Sequence, residues 1–349
     1  MRASFSIAGV AVAPGNRTQI NIPVPALYTH APISCPVYVV HGKKPGPTLF
    51  LSGAIHGDEI NGVEIIRRVL NRKSLRRIRG TLVAVPVVNI FGFISQTRYL
   101  PDRRDLNRSF PGSEKGSLAA RVAHLFIEEV VAKCTHGIDL HTAARHRDNF
   151  PQLRANLEDP EVDRMARAFN APVIINTEIA QGTLRSAAAN MGIPVVVYEA
   201  GEALRFDEVA IRAGVRGVVA VMRELDMLPT LKSRPLRLLS PYVARSSTWV
   251  RAHKSGILRA SKMLGENVAR GESLGVISDP FGARDEEVTA THEGIIIGRT
   301  NIPLVNEGEA LFHIARFDDT SGVVEIVESF QDEMDPATDR KPAPEPPIV

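Results

Sequence analysis

The sequence contains few cysteines and no long apolar segment. Its two cysteines, Cys35 and Cys134, are far apart and form no CxxC motif, which argues against a disulfide framework or a thiolate zinc site and suits a reducing compartment. No run of about 20 apolar residues occurs, so no membrane-spanning helix is expected. Residues 3–13 are only mildly apolar and fit a first β-strand better than a secretory signal. We therefore expect a cytoplasmic protein.

Aromatic residues are also scarce, at 5% of the chain, while the formal net charge is only +3. That small value hides an asymmetry: from Phe317 onward nine acidic and two basic residues give −7, which leaves +10 on residues 1–316. Nucleic-acid binding is not favoured, because the arginines are not interleaved with aromatic residues on which bases could stack. The positive charge instead favours attraction of a small anionic substrate.

The first two thirds of the chain alternate between apolar β runs and amphipathic helical segments. Strands are predicted at residues 48–54, 81–88, 137–141, 173–176 and 194–199. Helices are predicted at residues 59–71, 117–134, 183–191 and 205–225. This alternation predicts an α/β fold, with a mostly parallel mixed sheet flanked by helices.

The composition changes between residues 231 and 240, next to Pro235 and Pro241. Beyond this point short valine- and isoleucine-rich runs alternate with glycine turns, which predicts a small all-β domain. We therefore expect a catalytic α/β domain over residues 1–235 and a β domain over residues 236–330. Residues 331–349 are acidic and rich in proline, and we expect them to be disordered.

Two segments carry candidate metal ligands. His56 and Glu59 lie three residues apart where a strand is followed by a helix, and His141 ends the later apolar run GIDLHTA. The carboxyl ends of parallel strands face the crevice in which α/β proteins bind ligands, and imidazole and carboxylate groups are suitable zinc ligands. Asp139 is two residues before His141, so it points to the same side of the strand and could orient that ligand. Taken singly, these residues would be explained by a capping histidine, a solvated glutamate or a satisfied strand-end histidine.

Two further signals concern catalysis and substrate binding. Glu199 follows an apolar run and precedes Ala200 and Gly201, so a partly buried carboxylate would reach the sheet edge, where it could act as a general base. A salt-bridged strand-end glutamate is the alternative. Arg98 and Arg108, in the loop at residues 97–112, could bind carboxylate or carbonyl oxygens, or could belong to a solvated basic surface.

The order of these segments is more specific than any one of them. HGDE at 56–59, LNRSFPG at 106–112, DLH at 139–141 and YEAG at 198–201 follow one another along the chain. In this order they resemble the succinylglutamate desuccinylase/aspartoacylase family, which is related to the zinc carboxypeptidases. The resemblance covers roughly residues 30–316. It implies a zinc-carboxypeptidase-like fold and hydrolysis of the amide bond of a small N-acyl amino acid.

The resemblance also implies a role for individual residues. One zinc ion per chain would be bound by His56, Glu59 and His141. Glu199 would act on the attacking water, and Arg98 would polarise the scissile carbonyl. The remaining family positions would contact the substrate. Asn107 and Arg108 would bind its α-carboxylate, and Arg185 would contact its acyl side.

The acyl pocket departs from the family pattern. Aspartoacylase has a tyrosine one helical turn before the arginine that matches Arg185, and this chain has Gln181 there. Without the tyrosine the pocket lacks an aromatic wall and a hydroxyl donor, and such a less demanding pocket favours acetyl over succinyl, provided that Arg185 pairs with a nearby acid such as Glu202. A bacterial branch of the family, which includes an N-acetyl-diaminobutyrate deacetylase, resembles this chain more in length and in its C-terminal region.

The predicted β domain resembles a lipoyl/biotinyl half-barrel. Lys262 lies too early to be the modified lysine of a carrier domain, so we expect a structural domain that lines or shields the cleft. Two alternatives to a deacylase stay open: a metallocarboxypeptidase that acts on short peptides, and a binding module that has kept the fold without the activity. The acyl group, the amino acid and the oligomeric state are not determined, and a homo-oligomer is one option.

Overall fold

The computed structural model describes residues 2–230, 242–282, 284–318 and 320–334. The predicted domain boundary at residue 235 and residues 335–349 of the predicted tail lie outside the described residues. Within them, seven α-helices run α1 Asn61–Leu70, α2 Ile90–Ile94, α3 Leu118–Glu129, α4 Pro160–Phe169, α5 Leu184–Asn190, α6 Glu208–Glu224 and α7 Thr320–Met334. No helix in these ranges is long and apolar enough to cross a membrane.

Nineteen strands are formed by the same residues. Those of the N-terminal part are β1 Phe5–Ile7, β2 Val10–Val12, β3 Arg17–Val24, β4 Ile33–His41, β5 Lys44–Gly53, β6 Arg79–Val85, β7 His136–Ala143, β8 Arg147–Ala155, β9 Val173–Asn176 and β10 Val195–Glu202. Those of the C-terminal part are β11 Tyr242–Ala244, β12 Ser246–Arg251, β13 Gly256–Ala260, β14 Asn267–Val268, β15 Ser273–Ser278, β16 Asp285–Thr289, β17 Gly294–Thr300, β18 Leu304–Val305 and β19 Ala310–Arg316.

A mixed sheet of thirteen described strands is the centre of the molecule, as predicted. Its main order is β12-β19-β17-β8-β10-β7-β5-β6-β4-β3. The strands β10, β7, β5 and β6 are parallel to one another. The antiparallel strand β8 pairs with β10 on one side and with β17 on the other. The C-terminal strands β12, β19 and β17 therefore extend the sheet of the α/β part.

Both faces of the central strands are buried. Along β5, Leu49 and Leu51 pack into one apolar cluster with α1, α4 and α6, while Phe50 packs into a second cluster on the opposite face with α3 and α5. This is why β5 reads as a continuous apolar run and not as an alternating one. A third cluster holds the C-terminal strands together around Leu274 and Phe312.

The C-terminal part is all β until its final helix, in agreement with the sequence. β16, β15, β13 and β18 form a separate four-stranded antiparallel sheet. Lys262 Nζ lies 2.6 Å from Glu272 Oε1 and 3.4 Å from Glu266 Oε2, so the lysine is an ion-pair partner in this region. Helix α7 extends to Met334, four residues into the segment expected to be disordered.

Candidate active site

The turn between β5 and α1 carries His56 and Glu59. Its backbone passes so close to helix α2 that a Cβ added at Gly57 would lie 1.9 Å from the carbonyl carbon of Gly92. Only glycine fits there without moving the chain. This contact fixes the path of the turn and directs both side chains into the sheet edge, where each is almost fully buried.

His141 completes the cluster from the end of β7. One ligand atom from each of His56, Glu59 and His141 lies within 4.8 Å of the others. His56 Nδ1 is 2.6 Å from Glu59 Oε1, and His141 Nδ1 is 2.7 Å from Glu59 Oε2. The three residues that the sequence singles out therefore do come together, with their ring nitrogens directed at one carboxylate.

The second nitrogen of each imidazole has a carboxylate partner of its own. His56 Nε2 lies 3.1 Å from Asp105 Oδ1, and His141 Nε2 lies 2.7 Å from Asp139 Oδ2. Ser52 Oγ donates to the other Asp139 oxygen at 2.7 Å. When both Nε2 atoms donate a proton to these aspartates, the Nδ1 lone pairs face the Glu59 oxygens. Such a contact is favourable only with positive charge shared by the two atoms, either a proton on Nδ1 or a metal ion that both atoms bind, so the donor set fits a metal ion.

The carboxylates of the cluster attract positive charge to the two imidazoles. Burial by itself would lower the pKa of both imidazoles, but the surrounding carboxylates outweigh it, and the pKa of His56 and of His141 is raised. Burial would raise the pKa of Glu59, and the two imidazoles reverse that effect, so the pKa of Glu59 is lowered. The site therefore favours a carboxylate surrounded by positive charge.

Asp105 is a part of the site that the sequence analysis missed. Besides His56, it contacts Arg98, whose Nη2 donates to Asp105 Oδ2 at 3.0 Å, and Arg98 Nη1 donates to Glu59 Oε1 at 3.0 Å. Arg98 thus lies at the candidate metal ligands and lines the same cavity. The signal was present, since Asp105 directly precedes the LNR segment, but nothing in the local sequence showed which histidine it would reach.

Glu199 lies beside the cluster, because β10 places it opposite His141 in the parallel register. Its Oε2 accepts a hydrogen bond from Asn149 Nδ2 at 2.9 Å, and its Oε1 lies 2.9 Å from Arg154 Nε. Both partners come from β8, a strand that the sequence analysis did not predict. The two interpretations of Glu199 are therefore compatible: it is ion-paired and it also lines the cavity with the candidate ligands.

The loop before α3 brings Asn107 and Arg108 to the same cavity. Asn107 Oδ1 accepts a hydrogen bond from Leu184 N at 2.9 Å, which ties the loop to the start of α5. With its oxygen engaged, the amide directs only its N–H donors to a ligand. Arg108 is exposed, and its Nη1 donates to the backbone oxygen of Asn107 at 2.7 Å.

The acyl-side residues differ from the prediction. Helix α5 begins at Leu184, so Gln181 lies in the exposed turn before it and is not among the described residues that line the cavity. The expectation that Gln181 stands one helical turn before Arg185 in the acyl pocket was wrong. Arg185 does line the cavity, but Glu202 contacts His146 N and Asn301 Nδ2 rather than Arg185.

Arg185 has an incomplete set of partners. Its Nη2 donates to Thr177 Oγ1 and to the Glu178 carbonyl, each at 3.1 Å. Its Nη1 is buried and has no hydrogen-bond partner within the described part of the chain. Burial, with the nearby charge of Arg154, lowers the pKa of the Arg185 guanidinium, and Glu199 opposes this. A ligand oxygen would satisfy the free donor.

Together these residues surround one cavity of about 320 Å³. Eight of the nine predicted site residues line it, Gln181 being the exception. The sequence analysis did not identify Arg147, Arg154 and Trp249, which also line it. Trp249 belongs to β12, so the C-terminal part contributes to the wall of the cavity, as expected.

Comparison with known proteins identifies the family to which this fold belongs. Residues 45–225, 181 of 349, match the family model of the succinylglutamate desuccinylase/aspartoacylase catalytic domain. The N-alpha-acetyl-L-2,4-diaminobutyric acid deacetylase of Halomonas elongata is 27% identical and is aligned over 83% of this chain and 88% of its own length.

Two solved structures are similar over most of their length. A succinylglutamate desuccinylase/aspartoacylase from Rhodobacter sphaeroides has a TM-score of 0.77 at 25% identity, covering 86% of this chain and 96% of its own. The product-bound ectoine utilization protein EutE (DoeB) from Ruegeria pomeroyi has a TM-score of 0.77 at 22% identity, covering 90% of this chain and 100% of its own.

The molecule thus has the fold of an α/β enzyme, with a potential metal centre at the carboxyl edge of its mixed sheet. More specifically, the chain belongs to the succinylglutamate desuccinylase/aspartoacylase family. Its curated relative is named as a deacetylase, so hydrolytic removal of an acyl group is the activity that the comparisons support.

Proposed function

We propose that this chain is a zinc-dependent deacylase that hydrolyses the amide bond of a small N-acyl amino acid in the cytoplasm. The observation that carries the proposal is the convergence of His56, Glu59 and His141 within 4.8 Å, in one cavity with Glu199. The volume of about 320 Å³ lies at the small end of ligand cavities and suits a substrate of this size. Cys35 and Cys134, both buried free thiols, support a reducing compartment.

His56, Glu59 and His141 would hold the zinc ion, with Asp105 and Asp139 fixing the orientation of the two imidazoles. Zinc bound there would supply Lewis-acid chemistry, lowering the pKa of a water molecule and polarising the amide carbonyl. Three protein ligands would be the number that catalytic zinc sites use, which keep a further position for water or substrate.

Glu199 is the proposed general base. One of its carboxylate oxygens would accept a proton from the attacking water and then deliver it to the nitrogen of the leaving amine. Asn149 and Arg154 hold the carboxylate from the two sides, through Oε2 and Oε1 respectively. Because these contacts restrict its rotation, the base is already oriented before the substrate binds.

The remaining polar residues would hold the substrate. Asn107 donates through its amide N–H groups and Arg108 through its guanidinium, which together suit the α-carboxylate. Arg98, at the edge of the candidate ligands, would donate to the carbonyl oxygen as negative charge develops on it, an effect worth about 3 kcal/mol for one donor. Anchoring at both ends would keep the amide over the metal site.

The contacts of Arg185 bear on which acyl group the cavity accepts. The preference for acetyl depended on an ion pair between Arg185 and Glu202, and that pair is not formed. The unpartnered Nη1 supports an acyl group that ends in a carboxylate, although the curated relative is named for an acetyl substrate. Rates on the N-acetyl and N-succinyl forms of one amino acid test this, and a succinyl preference should disappear in Arg185→Met.

Hydrolysis by the zinc-loaded protein tests the function as a whole. A panel of N-acyl amino acids should be cleaved, and a dipeptide series with the same C-terminal residues should react more slowly. Faster cleavage of the dipeptides would make the protein a metallocarboxypeptidase. Zinc binding without cleavage of either series would indicate a binding module.

A further inference from the structure

Arg98 lies in an irregular segment, residues 95–105, between helix α2 and the LNR segment. Its side chain reaches the candidate site, where Nη1 donates to Glu59 Oε1 and Nη2 to Asp105 Oδ2, each at 3.0 Å. No helix or strand forms over residues 95–105, so the regular hydrogen bonds of such elements do not fix the backbone there. The position of Arg98 therefore depends on contacts that individual side chains make with this segment.

Asn89 contacts the segment from the interior of the molecule. It is fully buried, its Oδ1 accepts a hydrogen bond from Gly92 N at 2.8 Å and caps α2, and its Nδ2 donates to the carbonyl of Arg98 at 3.3 Å. The backbone N–H of Asn89 donates to Ala54 O at 3.0 Å, two residues before His56. One residue therefore connects the backbone of Arg98 to the turn that carries the candidate metal ligands.

Arg145 contacts the same segment from the solvent side. It lies in the turn between β7 and β8, and its Nη2 donates to the carbonyl of Gln96. Its Nε lies 3.6 Å from Oδ2 of the buried Asp58, which stands between His56 and Glu59 in the sequence. The segment is thus connected to the ligand turn a second time, two residues before Arg98.

Both ends of the Arg98 side chain are fixed as a result. Its guanidinium donates to Asp105 Oδ2 through Nε at 3.3 Å and through Nη2 at 3.0 Å, while the other end is fixed through the backbone. Nη1 is not engaged by Asp105 and is directed to Glu59. Donors to a developing negative charge act over a narrow range of distances, and a displacement of about 1 Å can lower a rate by about 100-fold.

We propose that Asn89 and Arg145 are positioning residues for Arg98. They fix the backbone that carries it, so that Nη1 is directed to the metal site before a substrate binds. The inference rests on the proposed role of Arg98 in the deacylase reaction. Neither Asn89 nor Arg145 is among the described residues that line the catalytic cavity, so each would act on hydrolysis through Arg98.

Two exchanges at Asn89 remove the donor to Arg98 and keep an oxygen that can cap α2, namely Asn89→Ser and Asn89→Asp. We expect each to lower kcat by about 10-fold and to change KM by less than about 2-fold, because Arg98 would act on charge that develops in the transition state. One equivalent of zinc should be retained. Asn71→Ser is the matched control, since Asn71 Nδ2 also donates to a backbone carbonyl, that of Arg67, and does not line the cavity.

The contact of Arg145 should have a smaller effect, because its side chain is about half exposed. Arg145→Met should lower kcat by about 3-fold, and Arg145→Lys should recover part of the loss, since an ammonium group can still donate to the Gln96 carbonyl. Arg104→Met is the control from the same segment, because the exposed Arg104 lies 4.0 Å from Asp102 and does not line the cavity. Equal kcat values in Arg145→Met and Arg104→Met would remove Arg145 from the proposal.

A double-mutant cycle separates positioning from a general structural role. In an Arg98→Met background the residue to be positioned is absent, so adding Asn89→Ser should lower kcat by less than about 2-fold. A further decrease of about 10-fold in that background would show that Asn89 acts through the metal site or the fold, and would overturn the proposal.

Amide hydrogen exchange measures the segment without turnover. The amides of Gln96 and Thr97 donate to carbonyls of α2, and they should exchange at least about 10-fold faster in Asn89→Ser than in Asn71→Ser. Unchanged exchange would contradict the proposal. If the wild type cleaves no N-acyl amino acid, the deacylase function is wrong, while the exchange still reports whether Asn89 fixes the segment. If cleavage occurs but the Asn89 variants retain the wild-type kcat, only the positioning is wrong.

Discussion

Two of the regions of this molecule that hold buried histidines have opposite electrostatic surroundings. At the carboxyl edge of the sheet, His56 and His141 lie among carboxylates, which raise the pKa of both imidazoles despite their burial. In the C-terminal strands, His313 has Trp249 beside it and the positive charge of Arg154 nearby, and its pKa falls to about 3. Burial alone therefore does not assign a role to a histidine. The groups around it make the first region suited to a cation and the second to an uncharged stack.

The largest effect is expected from exchanging one histidine in each region. Loss of the hydrogen-bond partner of a metal ligand lowers metal affinity by up to roughly 100-fold, and loss of the ligand itself should lower it far more. Purified His141→Ala should therefore hold well below one equivalent of zinc, and activity should be lost with the metal. His313→Phe, which conserves a buried ring, should retain one equivalent. Elemental analysis of both variants measures this. A full equivalent of zinc in His141→Ala, or loss of zinc in His313→Phe, would break the comparison.

Glu199→Gln should leave the fold and the zinc content intact and lower kcat by about 100-fold or more, the scale of lost general-base catalysis. The exchange conserves shape and removes basicity. Glu202→Gln is the control, since Glu202 is on the same strand but contacts His146 and Asn301 outside the cavity lining. Near wild-type turnover in Glu199→Gln would mean that another group activates the water.

The third prediction concerns the α-carboxylate of the substrate, which Asn107 and Arg108 are proposed to bind at the carboxyl edge of the sheet. Amidation of that carboxylate should cost about 2–4 kcal/mol in kcat/KM, the range for leaving a charged partner unpaired. In Arg108→Met the acid and the amide should differ much less. Equal rates of the wild type on acid and amide would remove Asn107 and Arg108 from the proposed site.

The smallest expected effect is a change in stability at Asp148. This residue lies between the two regions, on β8, where it is opposite Arg299 on β17. Burial, with Asp207 and Glu202 nearby, raises the pKa of Asp148 to about 6, and its Oδ1 has no hydrogen-bond partner among the described residues. A raised carboxyl pKa means that the folded state binds the proton more tightly. The contribution of Asp148 to stability is therefore highest below about pH 4 and is lost as the pH rises through 6.

Asp148→Asn stays neutral at every pH. It should increase the free energy of unfolding at pH 7.5 by about 1 kcal/mol, a value reduced from the full shift because the side chain is partly exposed. The gain should shrink towards pH 4.5. Urea unfolding of both proteins at the two pH values measures it. If Asp148→Asn is less stable than the wild type by the same amount at both pH values, Asp148 is needed for packing and does not have the raised pKa described.

Much of the fold was predictable where local patterns were strong. The strand at 173–176 was predicted to the residue, and β5, β6, β7 and β10 were found within a few residues of their ends. Helix α4 was missed although its signals are ordinary: Asp159 caps it, Pro160 opens it and Phe169 belongs to its apolar face. β8 was missed because Pro151 interrupts it and charged residues stand at both ends.

The candidate ligands His56, Glu59 and His141 and the candidate base Glu199 were determined by the sequence itself. Each lies near or just beyond the carboxyl end of an apolar strand, and parallel strands bring these ends to one edge. The contacts of Asp105, Asn149, Arg154 and Trp249 were decided only by the tertiary structure. These residues reach the site from a loop, from an antiparallel strand and from the C-terminal region. Their positions depend on how strands distant in sequence align, and a local pattern does not encode that register.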